Sequence, residues 1–275
     1  MAKKALLVGI NQYAHINPLS GCVNDVKDMA NTLTSLGIVP AQPGSMRILT
    51  DGNATRANIL EGLKWLVSGA KRGDLLVFHY SGHGSYVVDT SGDEVDGKDE
   101  TICPQDMRVD RDMITDDTLA DLFKGINPNE VTLEVILDSC HSGTATRGLR
   151  LPGEEQSTIR GISPSLDHSF FADANPRLNS HRLFKRKTPV LVPKMNHVLW
   201  AGCKSSETSG EGLVGGVQRG FFTYAFCKCL RGAGVKVVRR VLESQVSIYV
   251  KNSLHATQTP QLECDPTNMS QAVFT

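Results

Sequence analysis

Apolar positions fall into two kinds of stretch along this chain. Ala5–Ile10 (ALLVGI), Leu75–Tyr80 (LLVFHY) and Val131–Leu137 (VTLEVIL) are short, dense apolar runs bounded by turn formers. Such runs predict strands buried on both faces. Met46–Leu49 and Val198–Ala201 read as further strands. Between them the apolar period lengthens to that of a helix. In Asn24–Leu36, residues Val26, Met29, Ala30, Leu33 and Leu36 share one face, and Gly37 stops the helix. Thr55 caps a second helix through Ile59, Leu60, Leu63 and Leu66. Asp116–Phe123, Phe221–Leu230 and Val237–Val250 complete the helices, with no internal repeat. Strands alternating with helices imply parallel crossovers and an open α/β sheet. In such sheets ligands sit beyond the carboxyl ends of the strands.

Two segments break this pattern. Asp89–Asp117 holds eleven acidic residues against three basic ones and is rich in turn formers, which predicts a functional loop. Thr144–Lys194 holds nine basic residues against four acidic ones and reads as a mobile connection. The chain is therefore read as one domain over 1–275. Its parts are a first region 1–144, the basic connection 145–194 and a second region 195–275.

Composition narrows the classes. The chain has 275 residues, 40% of them hydrophobic, enough for a proper core. Lysine plus arginine equals aspartate plus glutamate at 29 each, which argues against a nonspecific nucleic-acid binder. Seven cysteines with no tight framework fit a reducing cytosol better than a secreted disulfide scaffold. Cys227 and Cys229 share one helix without a second ligand pair, so zinc is not predicted. The first apolar run is too short for a signal segment, and no run reaches membrane-spanning length. A monomeric cytoplasmic protein is expected, with Trp65 and Trp200 in its core.

The candidate chemistry lies after two strand ends. Ser81-Gly82-His83-Gly84 follows LLVFHY, and Asp138-Ser139-Cys140-His141-Ser142-Gly143 follows VTLEVIL. A thiol attacks as its thiolate and needs a neighbouring base. His83 supplies one if the two strands lie side by side. Glycines beside His83 allow close backbone approach, and the N–H groups of Gly84 and Cys140 are expected to face an oxyanion. One buried cysteine or loop histidine would be unremarkable alone; two glycine-flanked motifs at strand ends favour chemistry. His141 adjoins Cys140 and points to the opposite face on an extended segment. Asp138 shares a face with Cys140. A carboxylate beside a nucleophile would raise the thiol pKa, so it is better explained by a cationic substrate group, lysine or arginine.

These motifs resemble the His and Cys motifs of metacaspases, and the resemblance covers most of the chain. It extends to Gly21-Cys22-Val23-Asn24-Asp25, to Asp99-Glu100, to Ile114-Thr115-Asp116-Asp117 and to Ala201-Gly202-Cys203-Lys204-Ser205-Ser206-Glu207-Thr208-Ser209. The first strand begins at residue 5, which resembles the compact forms without a prodomain. The resemblance implies a caspase-like α/β/α sandwich around a mostly parallel sheet. It implies a cysteine endopeptidase cutting after Arg or Lys, with Cys140 as nucleophile and His83 as base. Cys22 and Asp25 would then join Asp138 in the substrate pocket, although Asp25 is also well placed to offset a helix N-terminus. Self-cleavage is implied as well. Arg147, Arg150, Lys185, Arg186 and Lys187 in the basic connection are its favoured positions, since nicking concentrates in mobile loops.

Calcium is the remaining implication. Asp99, Asp116 and Asp117 match the family's calcium ligands, while Arg147 stands where a fourth ligand is usually aspartate. The loop lacks the spacing of an EF-hand, and Asp116 and Asp117 would also serve as helix N-terminal charges. A weakened calcium dependence is expected. The rival readings are a caspase-like peptidase cutting after Asp and an inert caspase-like scaffold. The carboxylates at 25 and 138 speak against the first; retention of both His83 and Cys140 speaks against the second.

Overall fold

A computed structural model of the chain describes residues 1–88, 98–108, 112–140, 158–162, 195–204 and 207–275. The three dense apolar runs form neighbouring central strands. β1 (Lys3–Gly9) pairs in parallel with β2 (Met46–Thr50) on one side and β3 (Leu75–Ser81) on the other. β3 pairs in parallel with β7 (Thr132–Asp138), which pairs in parallel with β9 (Val198–Ala201). Antiparallel β12 (Gln261–Glu263) closes the edge, giving the six-stranded order β12-β9-β7-β3-β1-β2.

Helices cover both faces because alternate strand residues point to opposite sides. Ala5, Leu7, Val77, Ile136 and Trp200 pack with residues of α1 (Cys22–Ser35), α4 (Phe221–Ala233) and α5 (Arg239–Ser253). Leu6, Val8, Phe78, Tyr80, Val135 and Leu137 pack with residues of α2 (Arg56–Val67) and α3 (Asp116–Phe123). Thr55 caps α2 by accepting from the Asn58 N–H, and Thr115 caps α3 by accepting from Thr118. Gly37 ends α1 with a φ of +67°. The result is an α/β/α sandwich.

Several elements depart from the sequence reading. The acidic segment is not all loop. β4 (Gly84–Val88), β5 (Lys98–Ile102) and β6 (Ile114–Thr115) form a small antiparallel sheet. β10 (Gly210–Val214) and β11 (Val217–Gly220) form an unpredicted hairpin. Its signal was present: Gly215 and Gly216 both take positive φ, as a two-residue turn matched to strand twist requires. The basic connection is not wholly a loop either. Thr158–Ile159 forms β8, antiparallel to β10. Trp200 is buried, but Trp65 is only half-buried, with the Arg47 guanidinium 4.4 Å from its ring centre.

Candidate active site

Strand register gathers the candidate residues. Gly9, Ser81 and Asp138 are aligned partners at the carboxyl ends of β1, β3 and β7. His83 and Cys140 each lie two residues beyond Ser81 and Asp138, so they leave adjacent strands at the same edge. Gly84 permits this approach. A Cβ there would stand 2.2 Å from the Cys140 carbonyl oxygen, and no side chain fits.

His83 is held by its surroundings in one tautomer. Tyr13 Oη accepts from its backbone N–H at 2.8 Å, and Tyr80 Oη donates to its carbonyl at 2.7 Å. Nε2 lies 2.9 Å from the Asn17 carbonyl, an acceptor only, so Nε2 carries the hydrogen. Nδ1 keeps its lone pair and, among the described residues, has no hydrogen-bond partner. Burial lowers the His83 pKa to about 4, so the ring is neutral at pH 7. Cys140 is buried as well. Its Sγ lies 2.6 Å from the Ser209 backbone nitrogen and 3.0 Å from the Ser209 carbonyl oxygen. Cys203 is a near neighbour, its thiol pushed up first by hydrogen bonding with the Cys140 thiol and then by burial.

Beside this pair is a cage of three buried carboxylates around one guanidinium. Arg160 is fully buried. Its Nη2 meets Asp25 Oδ2 at 2.7 Å and Glu211 Oε2 at 3.0 Å, and its Nη1 lies 3.2 Å from Asp138 Oδ2. Nη1 also donates to Ser81 Oγ at 2.8 Å. Each carboxylate is fixed by other donors too. Asp25 accepts from Ser81 Oγ and the Gly220 N–H. Asp138 accepts from Ser209 Oγ, the Thr223 N–H and the Thr223 hydroxyl. Glu211 accepts from the N–H groups of Ser20 and Gly21. Cys22 lines the cage with Sγ 3.9 Å from Glu211 Oε2, and burial raises its thiol pKa. Burial also pushes Asp25 up, to about 6, against the pull of Arg160. Gly220 leaves the room. A Cβ on it would meet Asp138 Oδ2 at 2.4 Å, Arg160 Nη1 at 2.5 Å and Asp25 Oδ2 at 2.7 Å.

The Arg160 main chain is engaged on both sides. Its carbonyl oxygen accepts from the Gly84 N–H at 3.0 Å and the Cys140 N–H at 3.2 Å. Its own N–H donates to the Ser209 carbonyl at 3.0 Å. The predicted residues Cys22, Asp25, His83, Gly84, Asp138 and Cys140 thus converge. Ser81, Ser209, Glu211, Gly220 and Thr223 join them without having been singled out for this site. The open concavity lined by Asn129, Thr132, His197 and Asn268 lies at the opposite edge, where β7 and β9 begin.

The residues expected to bind calcium belong to the small sheet and to α3. Asp99 is buried on β5, whereas Asp116 and Asp117 open α3 with the Asp117 N–H on Asp116 Oδ1. Among the described residues, no group of three or more His, Cys, Asp or Glu side chains is arranged to hold a metal ion. His141, Arg147, Arg150, Lys185, Arg186 and Lys187 lie outside the described residues. No helix among the described residues is long and apolar enough to cross a membrane.

Comparison with known proteins agrees with this geometry. Residues 3–148 match the family model for the metacaspase, peptidase C14 domain. Metacaspase-1 of Pyricularia oryzae is 32% identical over 290 residues, covering 95% of this chain and 71% of the relative. Metacaspase-1A of Aspergillus niger is 32% identical over 291 residues, covering 95% and 70%. The solved structure of protein GSU0716 from Geobacter sulfurreducens superposes with a TM-score of 0.69 at 25% identity, covering 100% of this chain and 99% of that one. The chain belongs to the metacaspase family and is a caspase-like cysteine peptidase, a hydrolase.

Proposed function

We propose that this enzyme is an endopeptidase cutting protein substrates after Arg or Lys, with Cys140 as nucleophile and His83 as general base. The observation that carries the reading is Arg160. Its guanidinium lies among three carboxylates while its carbonyl faces two N–H donors beside Cys140. A P1 arginine would need that combination. The Asp25, Asp138 and Glu211 carboxylates would hold the side chain, and Gly84 and Cys140 would hold the developing oxyanion. His83 Nδ1 would take the thiol proton as Sγ turns away from Ser209, then return it to the leaving amine. A P1 aspartate would face three like charges, which disfavours cleavage after Asp. An inert scaffold has no use for a neutral imidazole with a free lone pair and a buried thiol on adjacent strand ends.

Self-cleavage within 145–194 follows from the same specificity. For calcium we propose weakened dependence, because Arg147 stands where the resemblance implies a carboxylate ligand.

Fluorogenic peptides ending in Arg, Lys or Asp test the reading, alongside titration with a thiol alkylator. Arg and Lys peptides should be cut and Asp peptides should not. Cys140→Ala should be inactive, and His83→Ala should lose about 10²–10⁴-fold. An active His83→Ala variant, or preferred cutting after Asp, would overturn it.

A further inference from the structure

We infer that Gln258 is a positioning residue for substrate recognition, which acts through the Ser209 hydroxyl to set where Asp138 points its carboxylate. The inference rests on the specificity proposed above and adds a residue that belongs to neither sequence motif.

The two oxygens of Asp138 are held in different ways. Oδ2 accepts from the Thr223 N–H at 2.9 Å and the Thr223 hydroxyl at 2.7 Å, both in the first turn of α4. Oδ1 accepts from the Ser209 hydroxyl at 2.7 Å. A helix turn fixes Thr223. Ser209 lies outside regular structure, one residue before β10, so its place must be set by other contacts. Gly202 leaves room for the Ser209–Asp138 bond. A Cβ there would stand 2.9 Å from Ser209 Oγ and 3.2 Å from Asp138 Oδ1.

Gln258 supplies those contacts. It is buried, and its Nε2 donates to the Gly202 carbonyl at 2.8 Å and to Ser209 Oγ at 3.1 Å, while Oε1 accepts from the Gly210 N–H at 2.9 Å. The orientation of the amide is forced, because the Gly210 N–H can only donate and the Gly202 carbonyl can only accept. A serine hydroxyl has one hydrogen. With Gln258 donating to its oxygen, that hydrogen is directed at Asp138 Oδ1, and turning it away would leave buried groups unpaired. All three partners of the amide lie between the end of β9 and the start of β10. Gln258 is itself anchored. The next residue, Thr259, gives its N–H and hydroxyl to Glu207 at 2.6 and 2.9 Å, and β12 pairs Gln261 with Ala201 of β9. An apolar side chain of like size would fill the same space. Three bonds aimed at one segment, with the second partner of Asp138 in the middle, point to positioning.

The test uses the full chain and fluorogenic peptides ending in Arg. Gln258→Met keeps the length of the side chain and loses all three bonds. It should raise KM about tenfold with little change in kcat, because Asp138 would hold the substrate cation alike before and in the transition state. Ser209→Ala removes the hydroxyl, keeps the main chain and should have the same effect. The double variant should also lose about tenfold, where independent effects would multiply to about a hundredfold. A glutamine that only braces the fold would lower the melting temperature and kcat together, and its loss would add to that of Ser209→Ala. Gln258→Glu keeps the acceptor for the Gly210 N–H and removes both donors. It should reproduce the rise in KM, which covers misfolding of the methionine variant. Additive losses, or an unchanged KM in a folded Gln258 variant, would overturn the inference and spare the specificity. Wild type cutting no Arg or Lys peptide would overturn the specificity and this role with it.

Discussion

Two arginines are fully buried among the described residues, and they are bound in different ways. Arg239, at the start of α5, meets one carboxylate. Its Nε and Nη2 donate to Glu134 Oε1 at 2.9 and 2.6 Å. Its other donors go to the carbonyls of Asn268 and Thr275. Glu134 also accepts from Trp200 Nε1 and the Phe274 N–H. One charge answers one charge, and the pair ties β7 to the C-terminal end of the chain. Arg160 faces three carboxylates, and its Nε has no partner among the described residues. The carboxylates there are held by backbone and hydroxyl donors that do not depend on the arginine. A balanced pair is part of the fold; an excess of fixed negative charge around one cation, just past a two-residue strand, fits the receptor proposed above.

The largest expected effect tests the receptor itself. Asp25→Asn with Asp138→Asn should reduce Arg-peptide cleavage by about 2–5 kcal/mol in transition-state binding, or roughly 30-fold to several thousandfold, with little change in melting temperature. Unchanged Arg preference would remove the distinction between the two arginines. Next comes stability. Arg239→Ala strands Glu134 in the core and should lose about 3–5 kcal/mol in denaturant melts. Arg160→Ala should lose less than half as much, because the strand can leave and water can reach the cage. Equal losses would make Arg160 merely structural.

The third prediction uses pH. Burial lowers His79, His83 and His197 to about 4, from an ordinary value near 6.5. Between those values the unfolded chain binds more protons, so stability falls as pH drops from about 6.5 to 4. Asp25, raised to about 6, acts in the opposite sense between roughly 4 and 6 and offsets one histidine. The net is two protons, at most about 3 kcal/mol per pH unit across that overlap. Melting temperatures from pH 4 to 7 should show it. A flat profile would remove the buried neutral histidines from the account. Smaller still, Glu211→Gln should cut the Arg-over-Lys preference by about tenfold, since Glu211 and Asp138 engage different guanidinium nitrogens and one ammonium cannot span both. An unchanged ratio would leave Glu211 without that role. Least of all, activity in chelator and in millimolar calcium should differ little, with Arg147→Asp increasing the dependence. Strong activation of wild type by micromolar calcium would contradict the weakened site.

Much of this arrangement was legible in the sequence, for local reasons. The strands were dense apolar runs, and two motifs at their carboxyl ends pointed to His83 and Cys140. Asp138 followed from strand alternation, and Asp25 from resemblance. Glu211 could not be found in this way. It reaches the cage by bonding to Ser20, Gly21 and Arg160 across the chain, and strand pairing between distant segments leaves no periodic trace. Arg160 was hidden by its neighbours, one basic residue among nine in a segment read as loop. A two-residue strand is too short to show alternation. The β10–β11 hairpin was readable from Gly215-Gly216 between valines, a turn signal that was missed.

Gly220 extends the lesson to other members of the family. The room for a guanidinium between Asp25 and Asp138 is the room where its side chain would have been. One added methyl group would close that room and leave the thiol, the imidazole and both motifs intact. A lineage could therefore retire the enzyme by a single change remote from the residues by which activity is recognised. A homologue carrying alanine or anything larger here, without a compensating backbone shift, would read as a peptidase and bind no arginine. Under the specificity proposed above, the residue aligned with Gly220 bears on arginine binding as directly as the cysteine bears on bond breaking.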